Sequence, residues 1–175
     1  MSRSLAALLL VLAPAGPAAA YPDGPPWEAA EDVAGCTACH SDGGPLVGDS
    51  ALRIVGLPQR VTPGERHRFH VRLTDPGMRR AGYLLALRAE RGAAGTLAAC
   101  DDRSEALAAK ARSTAAGSGV EGGGGVDWCL AWQAPEAIAG TIRIILWANA
   151  ANGDDSPFGD RIYRLESSIA PAAER

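Results

Sequence analysis

The chain has 175 residues, 47% hydrophobic, 21% charged and 5% aromatic, a globular composition rather than a disordered one. Its formal net charge is −3, with acidic and basic residues mixed along the chain, so there is neither a basic arm for nucleic acid nor an acidic tail. Collagen, coiled coil and polytopic membrane protein are excluded too, and the length suits one domain plus a tail.

The first twenty residues read as an export signal. Arg3 supplies the positive start, and Leu5–Leu12 is an apolar run too short to cross a bilayer. Pro14, Gly16 and Pro17 break it, and Ala18-Ala19-Ala20 is an A-x-A cleavage pattern. The expectation is a signal peptide over 1–20 and a soluble, exported mature chain from Tyr21, periplasmic or secreted. No later apolar run approaches the ~20 residues of a transmembrane helix, so no membrane span is expected in the mature chain. Export also places the cysteines in an oxidising compartment.

Residues 21–50 are rich in Pro and Gly, and only Trp27–Ala38 could hold a helical turn or two. From Ala51 the pattern changes to short apolar runs separated by turn residues. Strands are predicted at Ala51–Leu57, Arg66–Leu73, Gly82–Glu90, Val126–Trp132, Thr141–Asn149 and Arg161–Glu166, with Thr96–Ala99 as a seventh. Phe69, Val71 and Leu73 alternate with Arg68, His70 and Arg72, so one face is apolar and the other basic. Thr141–Trp147 is apolar on both faces, which suits a central strand. The Ala-rich stretch Ser104–Ala111 could be helical, and Gly122–Gly125 reads as a floppy loop. The domain plan is a CxxCH-containing segment over 21–50, an antiparallel β-sandwich over 51–168 and a tail over 169–175.

The chemistry concentrates in Cys36-Thr37-Ala38-Cys39-His40, the attachment signal of a c-type haem. Cysteines at i and i+3 share a face of a helical turn, so each thiol can add to one haem vinyl group. His40 follows as the proximal iron ligand. The same five residues can also be a plain disulfide, part of a metal site or a redox pair. A structural zinc site commonly brings a second close ligand pair, and a thioredoxin-like pair a βαβ frame; the sequence shows neither. Trp27, Val33, Leu46 and Val47 are candidates to cover part of a haem. Met78, after the turn residues Asp75-Pro76-Gly77, is the candidate distal ligand, while His67 and His70 read as surface residues.

Cys100 and Cys129 form a separate group. Cys129 lies on the strand face opposite Trp128, Leu130 and Trp132, and a Cys100–Cys129 disulfide closing about thirty residues is expected. Asn149–Asp160 is rich in hard oxygen ligands; Asn149, Asn152, Asp154, Asp155 and Asp160 are candidate calcium ligands, although the same residues suit a tight turn.

Several segments together resemble the choice-of-anchor V proteins, exported bacterial relatives of the reelin N-terminal (reeler) domain. They are Tyr21–Pro26, the CTACH motif, Asp75–Met78 with Ala81–Tyr83, Trp132–Pro135 and above all NAANGDDSPFGD at Asn149–Asp160. The resemblance covers nearly all of residues 21–168 and implies an all-β, immunoglobulin-like sandwich preceded by a CxxCH segment. Members often carry a C-terminal anchor or sorting signal, which Ser167–Arg175 does not spell. They often show a histidine before a threonine in mid-domain, where this chain has Ser113-Thr114.

Two functional classes follow. One is an exported haem c protein for electron transfer or haem-based sensing, which calls for a redox partner protein. The other is a binding or adhesion module with structural disulfides and calcium. An enzyme is not expected, since no Ser/His/Asp set, paired carboxylates or cofactor cradle is visible. The sequence leaves the oligomeric state open.

Overall fold

The computed structural model describes residues 24–30, 34–40, 43–47, 50–122 and 124–173. The expected signal peptide at 1–20 and Val33 lie outside the described residues.

The described residues form eleven strands: β1 Leu46–Val47, β2 Leu52–Val55, β3 Arg60–Val61, β4 Arg66–Thr74, β5 Arg80–Ala89, β6 Thr96–Ala99, β7 Ser104–Leu107, β8 Lys110–Ser113, β9 Gly125–Gln133, β10 Ile142–Ala151 and β11 Arg161–Pro171. They make a two-sheet sandwich. The larger sheet runs β1-β11-β10-β5-β8-β7, with β3 also on β11; the smaller runs β2-β4-β9-β6. Pairing is antiparallel throughout, except that the short β1 and β3 both lie parallel to β11.

Strand alternation builds the core. Phe69, Val71 and Leu73 of β4 meet Val126, Trp128, Leu130 and Trp132 of β9 on the inner face of the small sheet. Tyr83, Leu85 and Leu87 of β5 and Ile142, Ile144 and Leu146 of β10 face them from the large sheet. All these side chains are buried, and the indole N–H groups of Trp128 and Trp132 donate to the carbonyls of Gly117 and Ala94, so neither tryptophan strands a donor. Outside the small sheet, Cys129 bonds to Cys100 with Cα atoms 5.4 Å apart, as the alternation predicts.

Two expectations fail. Ser104–Ala111 is not helical: it folds into the β7–β8 hairpin, turning at Ala108 with φ +53°. Alanine's helix propensity is outweighed here by tertiary bonds. Ser104 Oγ accepts from the buried Tyr83 hydroxyl, and Ser113 Oγ accepts from the Tyr83 N–H. Across the glycine run, Glu121 N–H is bonded to the Gly125 carbonyl, and Gly124, at φ +78°, lies so close under the Asp75 carbonyl that a Cβ would clash at 2.3 Å. Last, β11 runs to Pro171, past the expected boundary at 168.

Asp75 ties the β4–β5 turn to β11. Its carboxylate is almost fully buried and accepts from Tyr163 Oη at 2.7 Å, from the Gly77 N–H at 2.8 Å and from the Arg161 guanidinium. Burial pushes this carboxyl up, but the bonds from Tyr163, Arg161 and Gly77 outweigh it and hold it below the usual carboxylate range.

Candidate functional site around the CxxCH segment

β10 and β5 are apolar on their outer faces as well. Leu84, Ala86, Ile145, Trp147 and Ile162 form a second buried cluster, separate from the inter-sheet core. What covers it is the N-terminal segment, folded as two 3-10 turns, Trp27–Ala30 and Gly35–Ala38. Ala30 is fully buried there, and Ala29 and Cys36 pack against the cluster. Gly35 makes the close approach: its φ is +47°, and a Cβ would sit 2.2 Å from the Trp147 ring. On the outer surface the Arg164 guanidinium lies 5.0 Å from the Trp147 ring centre.

The motif's three chemical residues have different surroundings. The Cys36 thiol is packed on the apolar cluster, and burial, with Cys39 close by, pushes it up to about 12. Cys39 is exposed, and neither cysteine is in a disulfide. His40 sits at the end of the turn, its N–H bonded to the Cys36 carbonyl at 3.1 Å. Its Nδ1 lies 2.9 Å from Oδ2 of Asp160, whose side chain is only 2% exposed. Asn149 Nδ2 donates to the same Oδ2 at 3.1 Å, and the Asn152 N–H donates to Oδ1 at 3.1 Å. Asn149 Nδ2 also lies 3.3 Å from His40 Nε2, a long contact, while Asn149 Oδ1 is buried without a partner.

The CTACH motif and the Asn149–Asp160 motif therefore meet in one site. The sequence marks both, but nothing in it shows that they touch. A cleft of about 170 Å³ opens beside His40, walled by Gly43, Gly44, Leu46, Asp160, Arg161 and Ile162. A larger cleft, about 430 Å³, lies between β2 and β11 and contains none of the motif residues.

Other candidates fall elsewhere. Met78 is buried in the inter-sheet core, whereas Cys36 packs on the opposite face of the large sheet, so Met78 is not placed as a distal ligand. The turn before it aims its side chain inward, because Asp75 fastens that turn to β11. Trp27 is covered by the Arg112 guanidinium, 4.4 Å from its ring centre, and Leu46 and Val47 are exposed. His67 is not a free surface residue but stacks on Trp132 at the sandwich end, with ring centres 5.9 Å apart. The five calcium candidates divide between two settings. Asn149 and Asp160 belong to the His40 site; Asn152 and Asp154 bond to each other and Asp154 Oδ1 accepts from the Ser156 N–H, in a run of Asx turns, and Asp155 turns the loop at φ +60°. Among the described residues no group of three His, Cys, Asp or Glu side chains is gathered to hold a metal ion.

No family model and no curated protein matches the chain. Solved structures do. The Reelin-N domain of F-spondin superimposes with a TM-score of 0.53 at 19% identity, covering 78% of this chain and 97% of that one. The human F-spondin reeler domain gives 0.52 at 17% identity, covering 75% and 96%. The fold is reeler-like. At these identities the likeness concerns architecture, and function has to be argued from the site.

Proposed function

We propose that this chain is an exported c-type haem protein, with Cys36 and Cys39 as the thioether positions and His40 as the proximal iron ligand. The observation that supports this most is the His40–Asp160 pair. A histidine that binds a metal through Nε2 commonly donates its Nδ1–H to a carboxylate or carbonyl, which fixes tautomer and ring orientation. A buried carboxylate at 2.9 Å from Nδ1 supplies that arrangement. His40 Nε2, whose contact with Asn149 Nδ2 is long at 3.3 Å, would be the nitrogen that holds the group.

The donor types suit the group, but the two thiols do not share one open face: Cys36 packs on the apolar cluster and Cys39 is exposed, so attachment would require the 3-10 turn to lift from the sheet. The 3-10 turn occupies the apolar sheet face itself, and the cleft beside His40 accommodates an edge of a macrocycle, so much of the ring would face solvent. When bound, haem supplies electron transfer or binding of a small axial ligand. Met78 in the inter-sheet core, and His67 and His70 on the other sheet, are not placed to hold the group together with His40. The oxidising compartment that export implies agrees with the Cys100–Cys129 bond.

The test is expression in an export-competent host with haem-attachment machinery. A visible haem spectrum that survives acid–organic extraction, and that is abolished in Cys36→Ala/Cys39→Ala, is expected. A colourless protein with Cys36 joined to Cys39 would overturn the haem reading and leave the binding-module alternative.

A further inference from the structure

The outer edge of the large sheet is interrupted. Along β11 the edge is taken at one end by β1, which stops at Val47 beside Arg164, and at the other by β3, which starts at Arg60 beside Ala170. Both run parallel to β11, and no described strand pairs with this edge along Leu165–Ile169 between them. The Ala170 N–H donates outward to the Gln59 carbonyl, and strand alternation turns the N–H and C=O of Ser168 the same way, into the gap. The inter-sheet core is open at the same place. Ser167 stands on the inward parity between Leu165 and Ile169, yet it is exposed, and Ile54 of β2 is only half-buried. The cleft of about 430 Å³ lies here, within the size range of small-ligand pockets. Ile54, Leu57, Ile144 and Ile169 give it apolar surface, and no acidic residue lines it. Arg60 does line it, exposed, with its guanidinium making a long 3.4 Å bond to the Pro171 carbonyl. Among the described residues Arg60 has no carboxylate partner.

We infer that this gap is a docking site for the C-terminal end of an extended peptide, added to β11 as a parallel strand with its carboxylate on Arg60. Three observations choose this occupant. An unpaired sheet edge recognises main chain, and pockets beside it read alternate side chains. β3 continues the line of the missing strand, so an incoming strand has to end where Arg60 begins. A strand that runs parallel to β11 arrives there with its C-terminus, and the guanidinium fork matches a carboxylate. An antiparallel strand would bring its ammonium terminus to Arg60, which repels it. Alternation then sets the side chains. Residues opposite Ser167 and Ile169 face the apolar lining, where β-branched residues fit, and those opposite Glu166 and Ser168 face away from the core. The inference is independent of haem, because the cleft contains none of the CxxCH residues.

The probe is acetyl-Thr-Val-Thr-Val with a free C-terminal carboxylate, titrated into the full exported chain and followed by amide NMR. Saturable binding is expected, with the amide signals of Ser167, Ser168 and Ile169 shifting most. The same peptide with a C-terminal amide should bind at least about tenfold more weakly, a comparison that needs no variant. Arg60→Gln should weaken the acid peptide about tenfold and leave acid and amide alike. Arg79→Gln, at the far end of β10, should change binding less than about twofold. Far-ultraviolet circular dichroism checks that each variant is folded. Absence of saturable binding, equal affinity for acid and amide, shifts away from β11, or a folded Arg60→Gln protein that still prefers the acid would overturn the inference. Isovalerate binding as tightly as the peptide would overturn its choice of a peptide.

Discussion

The two cysteine pairs lie on opposite sides of one sandwich and use their thiols in opposite ways. Cys100 and Cys129 are joined across the outside of the small sheet, where β6 ends beside β9, and the bond closes a span of 29 residues. Cys36 and Cys39 stay unbonded to one another on a 3-10 turn against the large sheet. Of that second pair, one thiol is packed on apolar side chains and the other is in the open. The first pair restrains the whole domain by limiting the unfolded chain. The second belongs to a short segment that packs Ala29, Ala30 and Cys36 on the outer face of the large sheet and is tied there by the His40–Asp160 pair and the Arg112–Trp27 contact. A bonded pair is thus spent, while the other remains as two thiols in unlike surroundings.

That contrast can be broken most directly at the thiols. In haem-free protein with Cys36 and Cys39 reduced, iodoacetamide at pH 8 should label Cys39 first. A Cys36 thiol pushed up to about 12 should react about a thousandfold more slowly than an ordinary exposed one. Peptide mass mapping over time reads the two rates, and equal rates would mean that the segment does not dock. The sign of the pH effect follows from the same burial. The raised value favours the neutral thiol in the docked state, so docking is fully supported below about pH 9 and lost as pH rises toward about 12.

The domain-wide pair should show in equilibrium unfolding. Cys100→Ala/Cys129→Ala should lower stability by about 3 kcal/mol, read from urea unfolding, with a lower midpoint and a steeper slope as the unfolded chain expands. A loss confined to one local probe would make this pair as dispensable as the other.

Asp75 sharpens the comparison from the sandwich side, since it fastens a turn by buried bonds as Asp160 fastens His40. Asp75→Asn should cost about 2 kcal/mol. Its depressed carboxyl contributes stability at pH values above the ordinary carboxylate range, lost as pH falls through that range to the lower folded value. Acid titration of the wild type should therefore be steeper than that of the variant.

The smallest global effect is expected at Gly35. Gly35→Val places a side chain into Trp147 at a left-handed backbone position, so the segment should lift. The unfolding midpoint should shift by less than about 1 kcal/mol, while labelling of Cys36 accelerates to the rate of an exposed thiol. A global collapse of stability would show that the segment is part of the cooperative core.

Sequence alone determined the sandwich, because period-two alternation is a local property that burial then enforces. Phe69, Val71, Leu73, Trp128, Leu130 and Trp132 could be assigned inward from their neighbours, and Cys129 outward by the same parity. The CxxCH residues were legible as a motif for the same reason of close spacing. Tertiary structure decided the rest. The alanine-rich stretch became a hairpin because Tyr83 bonds to serines on both its strands, a partner that no local pattern names. Met78 went into the core because Asp75 ties its turn to β11. The meeting of His40 with Asp160 needed β10 to be apolar on its outer face, so that a glycine could bring the motif down onto Trp147. Contacts between residues far apart in the chain cost loop entropy that only the assembled sheet repays, and for that reason they are absent from any short window of sequence.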